Sequence, residues 1–238
     1  MKLKPRLTGV ASLVPSGTVV ADIGTDHAYL PVHLVKEKSC PRVIAVEKSS
    51  ENCSMALETV NLFNLNHQVE VRSGDGLLVL QEADGVEVVV IAGLGGKTIC
   101  RMLIAAGDRI RRYKRMVLQP MGDLPLVRRW LVAHGFYFPE EKLVKELVKE
   151  KEHFYEIIAV EKGRQEVVEP LFLELGPTLL QKKDPLLVPW LEHKLKHYEQ
   201  VIGGLLRSRD ASDESRRRYF LSRYERLKGV LEDVCRGK

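Results

Sequence analysis

Between Leu13 and about Val160 the chain alternates short β-branched or apolar runs with longer helical stretches, and this alternation constrains the fold more than any other feature. A run such as Val86-Glu87-Val88-Val89-Val90-Ile91-Ala92 is apolar at consecutive positions, so both faces of the strand must be covered. A mostly parallel sheet with helices on both sides meets that demand. Five strands are expected first, at residues 19–23, 42–47, 68–72, 86–92 and 116–119, with helices over 27–36, 51–63 and 124–134. Two further strands, at 137–146 and 153–160, flank a charged turn around Lys149-Glu150-Lys151 and suit antiparallel pairing at one sheet edge.

The pattern changes after Gly163, which divides the chain into an α/β domain over residues 1–163 and a helical domain over 164–238. Gly176-Pro177 and Asp184-Pro185 break the second part into short pieces. Two longer helical patterns follow. Leu191, Leu195, Tyr198, Ile202 and Leu205 recur at steps of four, three, four and three, and Phe220, Tyr224, Leu227, Leu231 and Val234 repeat those steps. Such seams describe a coiled-coil-like hairpin turning near 207–215. The apolar positions are explained by two helices burying each other, and a partner-binding surface is the other reading.

At 45% hydrophobic and 29% charged residues, the 238-residue chain has the composition of a globular protein with a substantial core. It contains no run of eighteen apolar residues, and Met1-Lys2-Leu3-Lys4-Pro5 lacks the features of a signal peptide, so a cytoplasmic protein without a membrane partner is expected. Cys40, Cys53, Cys100 and Cys235 are scattered without metal-ligand spacing, which argues for free thiols and no metal.

The chemistry is expected at the strand ends. Asp22-Ile-Gly-Thr-Asp-His-Ala-Tyr29 lies between a strand and a helix, where Gly24 permits a tight turn. It lacks the three-glycine spacing of a dinucleotide site, and its acids would repel a pyrophosphate. A ligand with a cationic or neutral middle is favoured, and S-adenosylmethionine, with a sulfonium and an ammonium, is such a ligand. The plainer alternative is a turn whose Asp22 and Asp26 cap the next helix. Glu47 ends the second strand, in the place from which a carboxylate accepts hydrogen bonds from ribose hydroxyls. Gly74-Asp75-Gly76 follows the third strand, placing Asp75 to receive an adenine amino group, and Ala92-Gly93-Leu94-Gly95-Gly96 follows the fourth as a backbone-lined wall. Gln119 would bond substrate or brace the Gly93 loop. The sequence does not tell whether Arg6, close to the first strand, reaches into the cleft.

Residues 97–129 hold nine cations (Lys97, Arg101, Arg109, Arg111, Arg112, Lys114, Arg115, Arg128 and Arg129) against Asp108 and Asp123. A second cluster, Arg207, Arg209, Arg216, Arg217, Arg218, Arg223, Arg226 and Lys228, lies on the hairpin beside Asp210, Asp213, Glu214 and Glu225. Solvated helix faces account for either cluster alone, whereas the two together suit an extended phosphate backbone.

Asp22-Ile-Gly-Thr-Asp-His-Ala-Tyr-Leu-Pro31, Gly74-Asp-Gly-Leu77, Ala92-Gly-Leu-Gly-Gly96, Leu118-Gln-Pro120 and Phe154-Tyr-Glu-Ile-Ile158 together resemble the bacterial tRNA (adenine(22)-N(1))-methyltransferase family. The resemblance covers about residues 3 to 163 in motif order, and the helical hairpin is similar in architecture. Leu94 stands where the family usually has Met in an AGMGG loop, and Glu47-Lys-Ser-Ser-Glu-Asn52 where it tends to have an aspartate followed by Gly-Pro. The resemblance implies a Rossmann-like class I methyltransferase sheet of seven strands. It also implies S-adenosylmethionine as cofactor, S-adenosylhomocysteine as product, and N1 of adenine 22 in tRNA as acceptor. Carried over, Asp22, Gly24, Asp26 and His27 surround the methionine part, Glu47 the ribose, and Gly74, Asp75 and Gly76 the adenine. Gly93 to Gly96 then form the methyl-transfer face, and Ala92, Gly93, Leu94 and Gly95 are counted among the cofactor-binding residues. Asp26 is the first candidate for facing the charge that arrives on adenine, with His27 and Tyr29 orienting or stacking the base. A monomer is expected, with dimerisation through the hairpin as the other arrangement. Two competing functions stay open: a methyltransferase of this fold acting on another RNA or a small acceptor, and a non-catalytic RNA-binding protein.

Overall fold

The computed structural model describes residues 2–166, 171–207 and 213–236. It divides into two compact units, Met1–Leu179 and Leu180–Lys238. In the first, helix α1 (Pro5–Ser12) precedes strand β1 (Val20–Ile23), and α2 (Tyr29–Lys38), β2 (Val43–Glu47), α3 (Ser50–Leu62) and β3 (Val69–Ser73) follow. Next come β4 (Val88–Leu94), α4 (Gly96–Ala106), β5 (Arg115–Pro120), α5 (Leu124–Ala133), β6 (Phe136–Val148) and β7 (Lys151–Lys162). The seven strands form one sheet in the order β3-β2-β1-β4-β5-β7-β6. Strands β1 to β5 are parallel, and β7 runs antiparallel between β5 and β6.

Continuous apolar runs follow from burial on both faces. Val20, Val43, Val88 and Val90 belong to one core layer, packed with α1, α2 and α3, while Ala21, Ile44, Val89 and Ile91 point into the other, against α4 and α5. The expected charged turn joins β6 to β7, with Lys149 and Glu150 both at positive φ as a two-residue hairpin requires. Helices α1 and α4 carry no element in the sequence reading. The first begins at Pro5, whose fixed φ suits a first helical turn, and Gly9 lets it lie directly on the sheet. A Cβ on Gly9 would come within 2.5 Å of Val144 Cγ2 and 2.7 Å of Ile157 Cδ1.

The first unit extends past the expected boundary at Gly163 because a buried ion pair stitches the following segment to the sheet. Arg128 on α5 is fully buried and donates from Nε to Glu141 Oε1 at 2.9 Å. Its Nη2 lies 2.8 Å from the same oxygen, out of line for a hydrogen bond. Nη1 donates to the carbonyls of Leu173 and Glu174, both in the short helix α6 (Phe172–Leu175), at 3.2 and 3.4 Å. The other Glu141 oxygen accepts the Thr178 peptide N–H at 2.8 Å, at the start of α7 (Pro177–Lys182).

In the second unit, α8 (Leu187–Arg207) and α9 (Asp213–Arg236) pair as the expected hairpin. Leu191, Leu195, Ile202, Leu205 and Leu227 of the anticipated seams are buried, and Tyr198 meets Phe220 edge to face at 5.6 Å. Arg209 and Asp210, in the expected turn, lie outside the described residues. No helix among the described residues is long and apolar enough to cross a membrane.

Arg128→Met should cost about 3–5 kcal/mol in urea unfolding, since Glu141 would be left buried and uncompensated, and R128M/E141M should recover part of that loss.

Candidate active site

Parallel register brings the carboxyl ends of β1, β2, β3 and β4 to one edge, beside the point where strand order reverses between β1 and β4. A cleft of about 740 Å³ opens there. Asp22, near the end of β1, is buried and accepts a hydrogen bond from Thr25 Oγ1 at 2.8 Å. Burial pushes its carboxyl up to about 6; the Thr25 bond and the Arg6 charge oppose the rise, and Glu47 adds to it. The turn that follows places Gly24, Asp26 and Ala28 at positive φ. Strained backbone at Asp26 and Ala28 marks a conformation that the surrounding contacts enforce. Asp26 is exposed, with its carboxylate 3.8 Å from His27 Nε2, and the rings of His27 and Tyr29 stack at 5.4 Å.

Glu47, closing β2, is held by three peptide N–H groups. Its Oε1 accepts from Lys48 and Ser49 at 2.8 and 3.0 Å, and its Oε2 from Asp26 at 3.3 Å. The last bond ties the β1 and β2 loops together. In place of a Gly-Pro, the chain has residues whose N–H groups orient the acid, and Ser49 caps α3 through the Asn52 N–H at 3.4 Å. Beyond β3, Asp75 pairs with Lys48 Nζ at 2.9 Å across the cleft mouth. Both side chains are mostly exposed, so the pair is weak and open to exchange with a ligand.

Strand β4 runs on through Ala92, Gly93 and Leu94, where sequence alone suggests a loop. The register shifts between Ala92 and Leu94, which leaves Gly93 as an unpaired bulge at φ +82°, a conformation suited to glycine. Gln119, fully buried on β5, accepts from the Gly93 N–H at 3.2 Å and from Arg6 Nη1 at 2.8 Å. Of its two expected roles, Gln119 therefore takes the bracing one.

Twelve of the sequence-selected residues, together with Arg6, meet around this opening. Gly24, Asp26, Glu47, Gly74, Asp75, Gly76, Ala92, Gly93 and Leu94 line the main cleft. Asp22, His27 and Tyr29 line a smaller adjoining cavity of about 80 Å³, which shares Gly24, Asp26 and Ala92 with it. Gly95 lines neither and instead caps α4, its carbonyl accepting from Thr98 and Ile99. The sequence reading missed Lys48, which reaches the cleft from the loop after β2, and Asn52, Thr98 and Met102, which reach it from helix faces that only the fold aligns.

The basic segment is not one free patch. Arg128 is buried, Arg111 bonds the His134 carbonyl, Arg112 the Leu80 carbonyl, Arg115 pairs with Glu161, and Lys114 with Glu87. Arg111, Arg112 and Lys114 stay exposed despite these bonds, as do Lys97, Arg101, Arg109 and Arg129, with Arg101 at the cleft and bonded to Thr98.

Comparison with known proteins places this geometry. The family model for tRNA (adenine(22)-N(1))-methyltransferase matches residues 20–227. The tRNA (adenine(22)-N(1))-methyltransferase of Bacillus subtilis is 30% identical over 238 residues, covering 98% of each protein. The crystal structure of Streptococcus pneumoniae Sp1610 in complex with S-adenosyl-L-methionine is similar at a TM-score of 0.85 and 30% identity, over 97% of this chain and 100% of that one. The B. subtilis m1A22 tRNA methyltransferase structure is similar at a TM-score of 0.83 and 29% identity, over 97% and 99%.

Burial of Asp22 has a pH signature. Between about pH 4 and 6 the folded protein keeps a proton that the unfolded chain has released, so stability falls as pH rises through that window and levels off above it. The loss should be on the order of 3 kcal/mol. Asp22→Asn should remove the decline, leaving the variant more resistant to urea than the parent at pH 7 and similar to it near pH 4.

Proposed function

The chain belongs to the tRNA (adenine(22)-N(1))-methyltransferase family, and we propose that its cleft binds S-adenosylmethionine and directs methylation to N1 of adenine 22 in tRNA. Its sheet is the Rossmann-like class I methyltransferase fold, joined to a C-terminal helical hairpin. The observation that carries the reading is the meeting of Glu47, Asp75 and the Gly93 bulge in one cleft at the switch point, with Asp22 in the smaller cavity that adjoins it.

The donor set suits this cofactor. Glu47 presents a preoriented carboxylate to a ribose, and Asp75 an acceptor to an adenine amino group. A Cβ on Gly93 would lie 3.3 Å from Arg6 Nη1 and narrow the cradle between them. Acids lining the floor favour a cationic ligand over a pyrophosphate. When bound, S-adenosylmethionine supplies an electrophilic methyl group on its sulfonium.

Adenine N1 carries a lone pair at neutral pH, so no residue has to remove a proton before transfer. The protein's work is to hold the extruded base and to face the positive charge it acquires. Asp26 is assigned to that charge: its carboxylate is exposed at the junction of the two cavities, and the turn backbone constrains its direction. The stacked His27 and Tyr29 offer a π surface to the base. Lys97, Arg101, Arg109 and Arg129 are assigned to tRNA phosphates. The hairpin is proposed as a further RNA surface, supported by exposed Arg216 and Arg218 and by Arg223 stacked over Tyr219 at 4.4 Å. A monomer working in the cytoplasm belongs to the same proposal, and a mass measurement in solution checks the first part.

Incubation with labelled S-adenosylmethionine and unmodified tRNA transcript should place one methyl group on N1 of adenine 22, and replacing that adenine should abolish transfer. Failure of transfer by folded protein with verified cofactor binding would overturn the assignment. Asp26→Asn should lower kcat by roughly 10²-fold or more in the same assay. Lys97→Ala and Arg129→Ala should each reduce the salt dependence of tRNA binding by about one in log–log slope. Arg112→Gln should instead lower the thermal midpoint and leave that slope unchanged.

A further inference from the structure

We infer that Met121 is the wedge that enters the tRNA base stack when the acceptor adenine is extruded, an inference that rests on the reading of the protein as a tRNA methyltransferase. Met121 directly follows β5, at the same sheet edge as the Gly93 bulge, and it is 57% exposed. It lines neither the main cleft nor the smaller cavity, so it is no wall of the cofactor site. A single exposed methionine is ordinary on a protein surface. This one is held in place by the residues of the methyl-transfer face.

The Met121 peptide N–H donates to the Leu94 carbonyl at 2.8 Å, and the Gly96 N–H donates to the Gly122 carbonyl at 3.1 Å. A Cβ on Gly96 would come within 2.6 Å of the Gly122 oxygen and 2.8 Å of the Asp123 oxygen, so glycine at this position lets the loop after β5 press against the end of β4. Asp123 closes that loop at φ 56°, a costly left-handed conformation that persists only where the surroundings enforce it. Gln119, fully buried, reaches both sides. Its Oε1 accepts the Gly93 N–H at 3.2 Å, and its Nε2 donates weakly to Met121 Sδ at 3.8 Å. One side-chain amide thus fixes the thioether relative to the bulge.

Base extrusion gives such a side chain its use. Taking a base out of the stack costs unstacking energy, and proteins that open a base step insert apolar side chains into it, methionine among them. An unbranched, polarizable thioether conforms to flat neighbours. A Cβ on Gly122 would meet nothing within 4 Å, so the backbone beside Met121 is open to close approach by a strand. Exposed Lys97, next after Gly96, sets a cation beside the same loop for a flanking phosphate. Tyr29, stacked on His27 and lining the smaller cavity, is placed to receive the extruded base, while Met121 fills the gap it leaves.

The test joins two readouts on the full chain, Met121→Ala and Met121→Leu. Methyl transfer to unmodified tRNA transcript gives kcat, and a transcript with 2-aminopurine at position 22 brightens when that base unstacks. With saturating protein the parent should raise the fluorescence, M121L should match it, and M121A should leave most of the rise unmade. The kcat of M121A should fall about 10- to 100-fold, with M121L within about threefold of the parent. Calorimetry should give all three proteins the same affinity for S-adenosylmethionine. A full fluorescence rise in M121A would overturn the wedge, whether its rate falls, as for a residue that only shapes the transfer face, or holds. So would a loss of cofactor affinity in M121A as large as its loss of rate, or a parent that methylates the transcript without brightening the probe. A folded parent that binds cofactor but transfers no methyl group would instead remove the tRNA reading, and the wedge with it.

Discussion

Burial of the parallel strands on both faces governs everything downstream in this molecule. Because β1, β2, β3 and β4 hydrogen-bond in one direction, their carboxyl ends must emerge together. Because both faces are packed, the register cannot slip without turning a row of Val and Ile side chains to the wrong layer. Asp22, Glu47, Asp75 and Gly93 are far apart in sequence and come together as a result of that register. The ligand-facing chemistry is then confined to short loops at the ends of strands packed on both faces.

Those loops are braced against each other. Glu47 accepts the Asp26 N–H, so the acid at the second strand end also holds the turn after the first. Gln119 holds the Gly93 N–H with the same oxygen that receives Arg6. Asp22 stands among these contacts as a costly group, buried with its carboxyl pushed up to about 6. A protein that keeps a carboxylate there at neutral pH sacrifices stability for an electrostatic site, and a cationic ligand would relieve the strain.

What could be read from the sequence was whatever local pattern encodes. Asp22 and Glu47 stand out as acids directly after apolar runs, and Gly74 to Gly76 and Gly93 as glycines at strand ends. Arg6 carries no such signal, since its importance depends on how α1 lies across the sheet, a packing set by the space left at Gly9. Arg128 misled in the opposite direction. On a list of charges it belongs to a basic patch, whereas the fold buries it with Glu141 and uses it to secure the segment up to Thr178. Arg111, Arg112 and Arg115 are likewise consumed by carbonyls and acids that lie from 23 to 102 residues away.

The sequence by itself determined the alternating architecture, the antiparallel ending, the hairpin seams and the strand-end acids, because hydrophobic period and turn chemistry act over a few residues. Only the tertiary structure decided which cations remain free, which glutamine braces rather than binds, where the first unit ends, and that an arginine from the first helix reaches the cleft. Those outcomes depend on contacts between distant segments, whose partners are chosen by three-dimensional packing and leave no periodic trace along the chain.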